Sequence, residues 1–230
     1  MGKIAIMGAM REEIEPLLSH MDNIKETHYA NNTFYEASYN GRNVVVAYSK
    51  IGKVFSSLTA ALLIEKFGCK TVLFSGVAGA ISSDLKIGDL VIADGLCQHD
   101  LDITAFGHPY GYVPEGEVCI PTDAKLRKIA KDVAEEKGIN LKEGIIATGD
   151  QFVACGDRKE WVAKTFKADA LEMEGASVAV VCNALGIPFF ILRAISDSAD
   201  GSADVDFDTF LASSAKVSAD FILEMVGRIE

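Results

Sequence analysis

"ALEMEGASVAVVCNALGIPFFILRAISDSAD", residues 170–200, decides how this chain is read. "ADALEM" suits a short strand, and residues 175–185 run small and apolar, as a buried helix does. Gly186 and Pro188 stop that helix, because proline cannot continue one. "IPFFILRAI" is then rich in strand-forming side chains. Strand, helix, strand is the unit from which parallel sheets are built. Acids bracket it: Glu172 and Glu174 at the front, Asp197 at the back. Either they cap helices and form turns, or they are the working groups of a site.

Strands and helices alternate outward from this unit. "KIAIM" (3–7) is a short apolar run ended by Gly8, and "REEIEPLLSHM" after it is amphipathic at helical spacing. "TFYEASY" and "NVVVAYS" flank "NGR", a hairpin signal. Apolar positions recur at three and four over 53–67. "KTVLFS" (70–75) is a buried-type strand that "GVAGA" is expected to break, and "GDLVIADGL" is another strand. Residues 99–121 are a long loop rich in Gly, Pro and aromatics, and such loops are often functional. Residues 123–137 read as a helix capped by Thr122 or Asp123, and "KEGIIATG" as a strand. "DRKEWVAKTF" reads as a helix with Asp157 and Glu160 at capping-box spacing, and a last helix spans about 207–227. No linker or low-complexity stretch intervenes. The expectation is a single α/β domain over 1–230, with three αβα layers around a mixed, mostly parallel sheet.

Composition narrows the function. The 230 residues are 49% apolar and 24% charged, ordinary for a soluble globular protein. A formal net charge of −11, without a basic stripe, argues against nucleic acid as a partner. Cys69, Cys97, Cys119, Cys155 and Cys182 are odd in number and never spaced CxxC, which argues against disulfides and zinc and for a reducing cytoplasm. The start "MGKIAIMGAMREE" has too short an apolar run for a signal peptide. The apolar span 176–195 is interrupted by Asn183, Gly186, Pro188 and Arg193, so it does not read as a membrane helix.

Ligands of α/β sheets sit beyond the carboxyl ends of the strands. "GAMREE", "SKIGKV", "SGVAGA", "ATGDQFV", "EMEG" and "SD" all fall there. "GAMREE" puts Glu12 and Glu13 in a first helical turn, where acids suit the helix dipole; the functional alternative is a carboxylate aimed at water. "SGVAGA" is neither GxGxxG nor a P-loop. His99, Asp100, Asp102 and His108 are too irregularly spaced for a metal and suit turns and caps better. Glu172 and Glu174 share a face if extended, so at least one should bond polar groups of protein or ligand. Phe152 is either core or a stacking platform for a planar base. Phe106, Tyr110, Tyr112 and Pro114 give the long loop an apolar surface that suits another subunit or a lid.

Taken together these clusters resemble the bacterial 5′-methylthioadenosine/S-adenosylhomocysteine nucleosidases of the nucleoside phosphorylase superfamily. "MGAMREE" (7–13), "SKIGKV" (49–54), "SGVAGA" (75–80), "HDLDITAFG" (99–107), "TGDQFV" (148–153), "EMEGASVA" (172–179), "RAISD" (193–197) and "FDTFL" (207–211) follow the family's order and cover nearly the whole chain. The resemblance implies that Glu13 activates the attacking water, that Asp197 protonates N7 of adenine and that Glu174 grips the ribose hydroxyls. It also places Met173 on the sugar, Phe152 on the base, Val153 at the base edge, Ser196 behind Asp197, and Ala78 and Gly79 in the base pocket. Met10, Ile51 and Phe207 match walls of the 5′-alkylthio pocket. Phe106 and Pro114 match residues that reach the neighbouring site of a homodimer. Glu172 is left between ligand contact and a structural bond. No metal or cofactor is implied. Asp197 would have to hold its proton near neutral pH.

Arg11 stands where the family has the first of three acids, which makes Glu12 a conceivable stand-in for Glu13, and Val77 stands where serine is common. The motif combination looks most like the ε-proteobacterial branch, whose enzymes also hydrolyse 6-amino-6-deoxyfutalosine in menaquinone biosynthesis. Two rivals remain at this stage. A phosphorylase would need arginines converging on phosphate, and the first cluster offers only Arg11. A non-catalytic nucleoside-binding protein would be marked by loss of Glu13 or Asp197, and both are present.

Overall fold

The structure, a computed structural model, describes residues 2–199 and 203–229. Its elements are β1 (Lys3–Gly8), α1 (Arg11–Leu18), β2 (Asp22–Tyr29), β3 (Asn32–Tyr39), β4 (Arg42–Tyr48), α2 (Lys53–Glu65), β5 (Cys69–Ala80), β6 (Leu90–Gln98), β7 (Cys119–Pro121), α3 (Ala124–Lys137), β8 (Leu141–Thr148), α4 (Gly156–Phe166), β9 (Ala168–Glu172), α5 (Gly175–Leu185), β10 (Phe189–Asp197) and α6 (Ala203–Val226).

The strands form one mixed sheet of two parallel blocks. One is β4–β1–β5–β10 and the other is β6–β8–β9. The blocks meet antiparallel at β10–β6 and at β5–β9. The pairings β10–β6–β8–β9–β5–β10 therefore close a ring, and β4, β3 and β2 continue outward from it through β1. Where β5 meets β9, Gly79 pairs with Leu171 and Ala80 with Ala170, so the carboxyl ends of both blocks converge on one point.

The core explains the layers. Along β10, Phe189, Ile191 and Ile195 pack with Ala60, Leu63 and Ile64 of α2 and Ala176, Val178 and Cys182 of α5. The alternate residues Phe190, Leu192 and Ala194 pack with Ile14 and Leu17 of α1, Leu126 and Ala130 of α3 and Ile222 and Val226 of α6. Successive strand side chains point to opposite faces, and both faces are covered by helices. No described helix is long and apolar enough to cross a membrane.

Four local expectations change. β5 does not break at "GVAGA": it runs on to Ala80, because Gly76, Val77, Ala78 and Gly79 continue the parallel ladder to β10. β2 escaped the sequence reading because "DNIKETHY" is almost wholly exposed and carries no apolar alternation. α4 has no capping box: Cys155 is its N-cap without a side-chain bond, and Glu160 instead pairs with Lys164 one turn on. The 99–121 loop contains a short 3-10 turn at Thr104–Phe106 and the strand β7. The helix after residue 122 does start as expected, with Asp123 accepting from the Lys125 and Leu126 N–H groups.

Candidate active site

Glu13 lies in the first turn of α1, beyond the end of β1. It is buried, whereas Glu12 is exposed, so the stand-in role for Glu12 is not favoured. The Glu13 carboxylate turns back over the helix start. Its Oε2 accepts from the Ala9 and Met10 N–H groups, and its Oε1 accepts from the Val77 N–H at 3.0 Å. It is thus a helix cap and a pocket group at once. Burial pushes its pKa up, while Arg193 and these three N–H groups pull it back. A Cβ at Gly76 would lie 2.8 Å from Glu13 Oε1 and 3.2 Å from an Arg193 nitrogen, so that close approach requires glycine.

Asp197 ends β10 in register with Gly79. It is 3% exposed. The Ser196 hydroxyl donates to its Oδ2 at 2.9 Å, and the Ala199 N–H to its Oδ1 at 2.8 Å.

Glu174 is the N-cap residue of α5, and its Oε1 accepts from the Gly52 N–H at 2.9 Å. Its pKa is raised, first by burial and then by the neighbouring Glu172 carboxylate, with Arg193 acting against both. Glu172 has another environment. It accepts from the Thr148 hydroxyl, from the Glu174 and Gly175 N–H groups, and from Arg193 at 2.7 Å. Every one of those bonds is to protein. The chain leaves the strand after Glu172, so these two acids do not share the extended face that spacing suggested.

These side chains surround one cavity of about 290 Å³, near the small end of ligand pockets. Glu13, Glu172, Glu174 and Asp197 line it, with Met10, Ile51, Ala78, Gly79, Phe152, Val153, Met173, Ser196 and Phe207. Phe152 is half-exposed and meets Phe207 edge to face, with ring centroids 5.7 Å apart. Phe106 and Pro114 do not line it; Phe106 is 81% exposed. Val77, Gln151, Leu171 and Ala199 also line the cavity.

Arg193 was missed as a site residue. Among the described residues it is the largest fully buried side chain, its guanidinium lying 4.2 Å from the Phe74 ring centroid. An arginine between Leu192 and Ala194 in an apolar strand was the available signal, since buried charges are paired. Arg11 points elsewhere, over the Tyr48 ring. Among the described residues no cluster of three or more His, Cys, Asp or Glu is placed to hold a metal ion. His99 faces Arg158, Asp100 pairs with Lys53, Asp102 accepts from Thr104, and His108 stacks on Tyr112.

The strand ring closes with acids and glycines converging at its carboxyl end, where the ligands of α/β sheets sit. The profile of the phosphorylase superfamily matches residues 3–227, and the chain belongs to that family. Within that family, the relatives the chain matches are named as nucleosidases. It is 55% identical over 229 residues to the aminodeoxyfutalosine nucleosidase of Campylobacter jejuni, the match covering 100% of each. It superposes on the futalosine hydrolase of Helicobacter pylori with a TM-score of 0.97 and 51% identity, over 99% of this chain and 98% of that one. An aspartate-to-asparagine mutant of a Helicobacter pylori nucleosidase, solved with 5′-methylthioadenosine in its active site, gives 0.98 and 50% over 100% of both chains.

Proposed function

We propose that this chain hydrolyses the N-glycosidic bond of 5′-methylthioadenosine, S-adenosylhomocysteine and related 5′-substituted adenosines, releasing adenine. The observation that carries the reading is the placement of Glu13, Glu174 and Asp197 around one cavity with Phe152 at its lip. The purine must leave neutral, so Asp197, steadied by Ser196, donates a proton to it. Phe152 stacks on the base and Val153 presents backbone to its edge. Glu174 holds the ribose hydroxyls, with Met173 against the sugar. Glu13 takes a proton from the water that attacks the anomeric carbon. Negative charge near the sugar stabilises the oxocarbenium-like transition state. Phosphate is a poor nucleophile here, because no arginine is among the residues that line the cavity, and Arg193 behind Glu172 is already bonded to that carboxylate and to backbone carbonyls. Adenine release in phosphate-free buffer tests the reading, and strict phosphate dependence would replace it with a phosphorylase. Stoichiometric binding without base release would leave a binding protein.

A second reading is favoured by the relatives at 50–55% identity that bear the name aminodeoxyfutalosine nucleosidase. Ile51, at the 5′ end of the cavity, is 53% exposed, which leaves that end open to a bulky substituent. Rates on methylthioadenosine and 6-amino-6-deoxyfutalosine, measured side by side, rank the two.

The working form in this reading is a homodimer. Val54, Phe55 and Leu58 expose an apolar face of α2, and Phe106 is exposed on the long loop, apolar surface that suits a subunit interface. Phe106 and Pro114 then reach the partner's pocket. A stable active monomer in light scattering would refute this. Five free thiols suit a reducing cytoplasm.

A further inference from the structure

Asp100 offered the sequence only a turn or a poor metal ligand. In the fold it closes a ring of hydrogen bonds between three separate segments. Its Oδ1 accepts from Lys53 Nζ at 2.7 Å, and its Oδ2 accepts from the Asp150 N–H at 2.8 Å. Asp150 Oδ1 in turn accepts from the Lys53 N–H at 2.8 Å, which completes the ring. Lys53 Nζ also donates to Gln98 Oε1. The ion pair is partly buried, with side chains 19% and 16% exposed, so water screens it less than a surface pair.

Both walls of the pocket mouth hang on this ring. On one side, Lys53 follows Gly52, whose N–H holds Glu174, and Ile51 of the 5′ wall. Gly52 has φ of +100°, and a Cβ there would lie 3.0 Å from Asp150 Oδ1, so only glycine lets the two segments close. On the other side, Asp150 precedes Gln151 and Phe152 of the base wall. None of the ring residues lines the cavity.

We propose that Asp100 is a positioning residue, which through Lys53 and Asp150 fixes the spacing of the Ile51–Gly52 and Gln151–Phe152 walls and so sets substrate affinity. The assignment rests on the nucleosidase reading. Asp197 and Glu13 stand on other elements, so proton transfer is left intact when the ring opens. Charge-assisted bonds of this kind are among the stronger ones.

Asp100→Ala, Lys53→Met and the double variant test this against 5′-methylthioadenosine. Each single change is expected to raise KM roughly tenfold while kcat falls less than about threefold. The double variant is expected to be no worse than the poorer single one, because either change opens the same ring. Asp100→Asn, which keeps an acceptor for the Asp150 N–H, should recover part of the loss. An unchanged KM in Asp100→Ala, or additive losses in the double variant, would overturn the proposal. So would a KM rise that merely follows a fall in melting temperature. Wild-type protein that cleaves no nucleoside would sink the functional reading instead; the same variants are then compared by their Kd for adenine, where an unchanged value overturns the ring's role.

Discussion

Glu172 and Arg193 lie 2.7 Å apart with their side chains 2% and 1% exposed. Burial raises the pKa of both Glu13 and Glu174, and the pair's Arg193 opposes that rise in each. Breaking one side of such a pair strands a buried charge, at about 3–5 kcal/mol. Arg193→Met should therefore lower the melting temperature by roughly 10 °C in a chain of this size. Glu172→Gln should lower it less, since its amide oxygen still accepts from the Glu174 and Gly175 N–H groups. Differential scanning calorimetry reads both; a shift in Arg193→Met of under about 2 °C would show the pair contributes little.

Asp197→Asn and Glu13→Gln each remove one proton-transfer group while keeping shape. Each should cut turnover by about 10²–10⁴-fold. Asp197→Asn should still bind 5′-methylthioadenosine by calorimetry. A mutant of either kind that releases adenine at the wild-type rate contradicts the assigned role.

Gly79→Ala probes the base end without replacing a charged group. Its Cβ would sit 2.6 Å from Asp197 Oδ1 and 3.0 Å from the Ala199 Cβ. Asp197 must shift, and a misplacement of about 1 Å at a reacting group costs roughly 10²-fold. The expected result is a fall in kcat of that order, read in a steady-state adenine-release assay; near-normal kcat would mean that the β10 end yields freely.

The pH dependence of stability has a definite sign. Burial, then Glu172, raises Glu174 from 4.5 to about 8. Across that window the folded protein retains a proton that the unfolded chain has lost, so stability falls as pH rises. His99 acts oppositely: burial, then Arg158, lowers it from 6.5 to about 4, so its contribution rises with pH only between those values. Above pH 6.5 His99 drops out, and the buried carboxylates govern the slope. Glu174→Gln should flatten the decline in melting temperature between pH 6.5 and 8. An unchanged slope would assign the retained proton elsewhere.

Much of this was legible in the sequence, for physical reasons. Apolar runs such as "FFILRAI" announce strands buried on both faces, and Gly-acid clusters after them announce a shared ligand end. What stayed hidden depends on long-range pairing. β2 has no buried face, so it left no period to read. Glycines in "GVAGA" look like a break locally but serve as ladder residues facing β10. Glu172, Arg193 and Thr148 come from three segments, and spacing along the chain says nothing about their meeting. Asp100 and Lys53 are likewise 47 residues apart.

The closed run β10–β6–β8–β9–β5 has a consequence for how this pocket can diversify. A register slip in any one of those strands would have to be matched by its neighbours around the whole circuit, and each slip of one residue turns every side chain to the opposite face. Ala78, Gly79, Ser196 and Asp197 sit on that circuit and are bound to their places by it. Met10, Ile51 and Phe207 lie off it, at the N-cap before α1, on a connecting segment and on α6. In the proposed function, tolerance for different 5′ groups is therefore confined to one end of the cavity, while the purine end is locked.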